Sequence, residues 1–155
     1  MIARDGESWV PVGAPVDRSV SLAALLSPPR LVWEAGGAWL AWTHGSEVRV
    51  ARHTGRGWEQ LAPALEARGG RIAFALVDGD PLIVAAVDTS FGTRARRYLG
   101  KAWGPIFDAS PVGATGLGTG PILAAAAGSA YLAFPGLGEG ARCPVERLRF
   151  PAEIR

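Results

Sequence analysis

The sequence predicts an all-β chain made of repeated four-stranded antiparallel units, and three observations carry that prediction. Glycine and proline supply 21 and 12 of the 155 residues, which suits many short strands and tight turns better than long helices. A Gly, any residue, small residue, Trp signature recurs at Gly6 to Trp9, Gly55 to Trp58 and Gly100 to Trp103, with Val12, Leu61 and Ile106 three residues further on. A second signature sets Gly three residues before a large apolar residue, at Gly36 to Trp39, Gly79 to Leu82 and Gly128 to Tyr131. The first advances by 49 and 45 residues and the second by 43 and 49, so the two stay in phase, as duplication of a whole structural unit requires.

The units divide one repeat domain, 1–155, into a half unit over 1–16 and full units over 17–65, 66–110 and 111–155. Ile2 to Val12 matches only the second half of a unit: a third strand, a glycine turn and a Trp-bearing fourth strand. The first full unit predicts strands Arg30 to Ala35, Ala38 to Thr43, Glu47 to His53 and Trp58 to Ala62. The next predicts Arg71 to Val77, Leu82 to Val87, Thr93 to Tyr98 and Trp103 to Phe107. The last predicts Ile122 to Ala126, Ala130 to Phe134, Val145 to Phe150 and a short Ala152 to Arg155. Asp5-Gly6 and Thr54-Gly55 fit the positive backbone angles of tight hairpins. Ile122 to Ala127 and Ser21 to Leu26 also contain good helix formers. Pro121, Gly128 and Pro28-Pro29 confine both to lengths at which isolated helices are marginal, which leaves the Ser21 stretch and Pro63 to Arg68 as candidate helical turns between units.

Strand patterning adds depth. Ala73 to Val77 and Ile83 to Val87 are continuous apolar runs, as in sheet buried on both faces, with alanines where neighbours crowd. Glu47 to Arg52 alternates instead, as an outer strand does with one face in solvent. Together with the Gly-small-Trp turns, this pattern resembles the tryptophan-centred blades of β-propellers, including sialidase-like and propeller-lectin families, along nearly the whole chain. The resemblance implies about three and a half blades of antiparallel sheet. Four to eight blades are usual, so the ring is expected to be incomplete, or completed by self-association or a partner chain. Sialidase-type blades carry a Ser-x-Asp-x-Gly-x-Thr-Trp turn, which Asp88 to Thr93 matches only faintly and without the Trp. Fucose-binding lectin blades place a Glu before the Gly-Trp turn, and Val50 to Gly55 has none. The resemblance therefore transfers architecture and no binding residue.

Charge and cysteine content narrow the function classes. The net charge of +2 is spread over fifteen arginines, one lysine and fourteen acids with no concentrated block, so no nucleic-acid partner is expected. Cys143 is alone and forms no intrachain disulfide. No apolar run approaches the roughly 18 residues of a membrane span, and Met1 to Asp5 lacks a signal-peptide pattern. A soluble chain is expected, in a compartment the sequence does not specify.

The expected function is non-enzymatic recognition of a glycan, small ligand or protein. The alternatives are a propeller hydrolase or lyase, or a fragment of one, and a purely architectural self-assembling unit. Trp39, Trp42, Trp58, Arg94 and Arg96 are the candidate ligand-binding residues. A Trp at one fixed place per unit equally suits packing between neighbours, and Trp39 and Trp42 must point to opposite faces of their strand. Arg94 and Arg96 share one strand face, where such charges also keep an outer strand from pairing with other chains. His44 and His53 provide no metal-ligand spacing, and Asp78-Gly79-Asp80 reads as a turn in preference to a calcium loop. No serine lies in a nucleophile elbow. Gly116, Gly118 and Gly120 are not followed by the helix a phosphate loop needs. No catalytic residue, metal or cofactor is assigned.

Overall fold

A computed structural model of the chain describes residues 2–5, 8–11, 28–34, 37–66, 71–86, 92–109, 120–134, 143 and 145–151. The expectations at Asp5-Gly6, Ser21 to Leu26, Asp88 to Phe91, Gly116 to Gly118 and Ala152 to Arg155 fall outside them.

The described chain is all-β, with an N-terminal hairpin and three antiparallel sheets of three to five strands. The hairpin joins β1 (Ile2–Asp5) to β2 (Ser8–Pro11). The first sheet runs β3 (Arg30–Glu34), β4 (Gly37–His44), β5 (Glu47–His53) and β6 (Trp58–Gln60), with β7 (Leu65–Glu66) also on β5. The second sheet holds β8 (Ile72–Val77), β9 (Asp80–Ala86), β10 (Thr93–Arg97) and β11 (Phe107–Asp108) in simple meander order. The third holds β12 (Ile122–Ala126), β13 (Ser129–Ala133) and β14 (Val145–Arg147). The described residues form no closed propeller ring.

The three inner strands of each full unit fall close to where the sequence placed them, because glycine turns and apolar runs fix them locally. The outermost strands differ. Trp58 to Ala62 is expected as one strand, but the ladder on β5 breaks at Ala62-Pro63 and resumes as β7, where a helical turn was a candidate. Trp103 to Phe107 reduces to a single bridge, Tyr98 to Trp103, followed by β11. Pro63 and Pro105 lie in these interruptions, and a residue without an N–H cannot donate to the ladder.

The sheets stack face to face in chain order. Ile72, Phe74 and Leu76 of β8, with Ile83 and Ala85 of β9, pack against Trp39, Ala41, Val48, Val50 and Leu65 of the first sheet. Ala73, Val77, Leu82, Val84 and Ala95 on the opposite face pack against Ala130, Leu132 and Phe134 of the third. The period-two alternation of a strand thus sends successive β8 residues into two different cores. β8 is buried throughout its length. It also neighbours both β3 and β12, so first strands lie beside first strands.

The hairpin tips show what the backbone demands. Asp78 and Gly79 between β8 and β9, and Ala127 and Gly128 between β12 and β13, all have positive φ, as a two-residue type I′ turn requires. Ala127, at φ 47°, is the residue least suited to its place. At Gly37, with φ 124°, a Cβ would stand 2.7 Å from the carbonyl oxygen of His53.

Two stability outcomes follow. Gly37→Ala is expected to destabilise the chain by about 2 kcal/mol or more, because both backbone angle and close approach are violated. Ala127→Gly relieves an unfavourable left-handed residue at an exposed tip and is expected to stabilise by about 0.5–1 kcal/mol. Denaturant midpoints measure both, and a neutral Gly37→Ala would contradict the geometry.

Candidate functional site

Cross-strand register places one arginine at the same point in every full sheet. Arg52 lies opposite Trp39, Arg97 opposite Leu82 and Arg147 opposite Tyr131. The partner residues are the three large apolar positions of the second sequence signature, so the repeat extends from sequence to register. Arg52 holds its guanidinium 5.2 Å from the centre of the Trp39 ring, and Arg97 holds its own 5.3 Å from that of Phe150. Both distances are within the range of cation–π attraction.

Two of these arginines converge on a groove of about 980 Å³ where the ends of the second and third sheets meet. Its lining includes Asp78, Arg97, Glu146, Arg147, Arg149 and Phe150. Arg97 is a fixed wall: although nearly buried, it donates through Nη2 to the Val77 carbonyl at 3.1 Å and to Asp78 Oδ2 at 3.3 Å. Arg147 donates through Nη2 to Ser129 Oγ at 2.7 Å and is otherwise exposed. Arg149 is exposed as well. A guanidinium offers five N–H donors in a planar fork, so Arg147 and Arg149 leave donors facing the groove while Phe150 supplies an apolar surface.

The aromatic candidates have different surroundings. Trp39 and Trp42 are each only 7% exposed. As strand alternation demands they lie on opposite faces, Trp39 in the core between the first and second sheets. Trp58 is half-buried and meets His53 edge to face, with ring centres 5.2 Å apart. Trp103 meets Tyr98 in the same way at 5.3 Å. Equivalent ring pairs therefore follow the third strand in the first and second sheets, as the cross-strand pair His53 and Trp58 and the single bridge Tyr98 to Trp103. A difference lies in the indole N–H: Trp103 Nε1 donates to the Ala62 carbonyl of the preceding sheet at 2.8 Å, whereas Trp58 Nε1 is buried without a hydrogen-bond partner.

Of the basic candidates, Arg94 is exposed on β10 with Asp108 as its cross-strand neighbour. Arg96 donates through Nε to the Gly104 carbonyl at 2.7 Å and through Nη1 to the Ala64 carbonyl of the first sheet at 2.9 Å. It ties two sheets together, as Trp103 does. None of Trp39, Trp42, Trp58, Arg94 and Arg96 lines the Arg147 groove. A second groove of about 640 Å³ brings Trp33, Glu34, Arg52 and His53 together beside the first sheet. The groove arginines lay in view in the sequence, since Arg147 and Arg149 repeat the spacing of Arg94 and Arg96, but only register shows that Arg147 matches Arg97. Among the described residues no group of three or more His, Cys, Asp or Glu is placed to hold a metal ion, and no helix is long and apolar enough to cross a membrane. Comparison with protein-family models, with curated proteins and with solved structures finds no match to the chain.

The two tryptophans provide an internal control. Trp58→Phe and Trp103→Phe remove the same ring volume, but only the second removes a hydrogen bond between sheets. Trp103→Phe is expected to cost about 1 kcal/mol more stability than Trp58→Phe. Equal losses in chemical denaturation would contradict the assignment.

Proposed function

We propose that the chain is a non-enzymatic recognition module of β-propeller type that binds a glycan or small ligand carrying an anionic group. The blade reading is supported by the meander order of the sheets, their face-to-face succession along the chain and the adjacency of first strands β3, β8 and β12. A radial array brings equivalent strand ends to one side, which suits a site between blades.

One observation carries the ligand class: Arg97, Arg147 and Arg149 gather around Phe150 in a single groove, with Arg97 already engaged by Val77 and Asp78. Arg97 shapes the wall and holds the aromatic ring. Arg147 and Arg149 then engage a carboxylate, sulfate or phosphate group through charge-assisted hydrogen bonds while the apolar face of a sugar or similar ring meets Phe150. The acids Asp78 and Glu146 at the rim disfavour a ligand of uniform negative charge and favour one with a localised anionic group.

Isothermal titration with paired acidic and neutral oligosaccharides tests this reading. Acidic members are expected to bind, and Arg147→Ala or Arg149→Ala each to weaken binding about tenfold, the loss of roughly 1.4 kcal/mol, with the folding midpoint unchanged in Arg149→Ala and lowered slightly in Arg147→Ala, which also removes the hydrogen bond to Ser129. Equal binding of neutral and acidic members, or variants that bind like the parent, would contradict it. Arg94→Ala, outside the groove, is expected to bind as the parent does.

A further inference from the structure

The groove of about 640 Å³ at the end of the first sheet is built on the same register point as the Arg147 groove, because Arg52 holds the place that Arg97 and Arg147 hold in the other sheets. The rest of its lining differs in kind. Trp33 is 70% exposed, the most exposed large apolar side chain among the described residues. Its neighbour Glu34 is exposed as well. Trp33 lies opposite Ala38 and Arg52 opposite Trp39, so strand alternation sends them to opposite faces of the sheet. The groove that both line therefore wraps round the strand ends, past Gly37, which lines it without a side chain.

The remaining wall is held in place. The His53 ring meets Trp58 edge to face, and its Nδ1 accepts a hydrogen bond from the Gly55 amide at 3.3 Å. The neutral imidazole thus carries its proton on Nε2, which is left as a donor. Nothing stands within 4 Å of where a Cβ on Gly55 would lie, so this side is open to a ligand. One carboxylate, Glu34, balances one guanidinium, Arg52, whereas the Arg147 groove gathers Arg97, Arg147 and Arg149 against Asp78 and Glu146.

We propose that this groove is a second binding site, for a neutral pyranose unit stacked on Trp33. The apolar C–H face of the sugar covers the indole, while its hydroxyls donate to Glu34 and accept from His53 Nε2 and Arg52. A hydroxyl both donates and accepts, which suits a lining of mixed character. A carboxylate or sulfate would instead be repelled by Glu34, and an ammonium group by Arg52. The volume is that of a small-molecule site. Both grooves lie along one row: Glu34 Oε2 is 4.0 Å from where a Cβ on Gly79 would stand, and the Asp78 carboxylate is 3.3 Å from the same point at Gly128. The neutral site rests on its own lining and not on the anionic reading of the Arg147 groove.

Neutral trisaccharides of glucose, galactose, mannose and N-acetylglucosamine, titrated into the full chain, supply the probe, with the Trp33 indole N–H resonance followed by NMR. At least one is expected to shift that resonance saturably. Trp33→Ala is expected to weaken the interaction at least tenfold, as loss of an aromatic anchor does, with the folding midpoint unchanged because the side chain is exposed. Trp33→Phe, which keeps an aromatic plate, is expected to retain binding within a few-fold, and Glu34→Gln to weaken it. The excess affinity for acidic over neutral members is expected to survive in Trp33→Ala, so the two sites fail separately. A panel that leaves the Trp33 resonance unmoved, or neutral binding that is the same in Trp33→Ala as in the parent, would overturn the proposal.

Discussion

The inner strands of the second sheet, β8 and β9, are buried on both faces from Ile72 to Val77 and from Pro81 to Ala85, and the rest of the structure follows from that constraint. Ile72, Leu82, Ile83, Val77 and Val84 are essentially inaccessible, and each such side chain contributes about 1.5–3 kcal/mol when removed from water. Those contributions divide between two cores, one shared with the first sheet and one with the third. Neither core belongs to a single unit. Each unit has too few residues to bury its own apolar face, which is the usual condition of a repeat architecture and the reason stability comes from neighbours.

Polar contacts reinforce the same boundary. Arg96 and Trp103 both reach from the second sheet to carbonyls of the first, at Ala64 and Ala62. These carbonyls flank Pro63, where the outermost ladder of the first sheet is interrupted, so the groups that the ladder leaves are met by the adjacent sheet. Arg97 performs a related task on the other side, bonding the β8–β9 tip and covering Phe150. The site and the scaffold therefore share residues, and the groove inherits its rigidity from the stack.

Much of the fold was legible because its determinants are local. Glycine turns at positive φ, as at Gly55, Gly79 and Gly100, punctuate the chain at nearly fixed intervals. The apolar runs at β8 and β9 announce burial on two faces, whereas the alternation of β5 suggested an outer strand and β5 instead lies between β4 and β6, with Ala51 of the expected solvent face buried. The outermost strands were less legible, because Pro63 and Pro105 break ladders whose partners lie elsewhere in the chain. Site residues were harder still. Arg94 and Arg96 look alike in sequence, yet one is exposed beside Asp108 and the other is bound to two carbonyls, a difference set by a neighbour 32 residues away. Trp39 and Trp42 suggested a pocket because aromatics in one strand can line one, but both are buried, Trp39 in the core shared with the second sheet. The equivalence of Arg52, Arg97 and Arg147 depends on register, which the uneven steps between units obscure.

Burial of the middle sheet is tested most directly by native-state hydrogen exchange resolved by residue. Amides of Ile72 to Val77 and Leu82 to Ala85 should exchange only through global unfolding and be the slowest in the chain, with β12, β13 and β3 opening more readily. If the second sheet exchanged as fast as the sheets on either side of it, the stacked arrangement would be wrong.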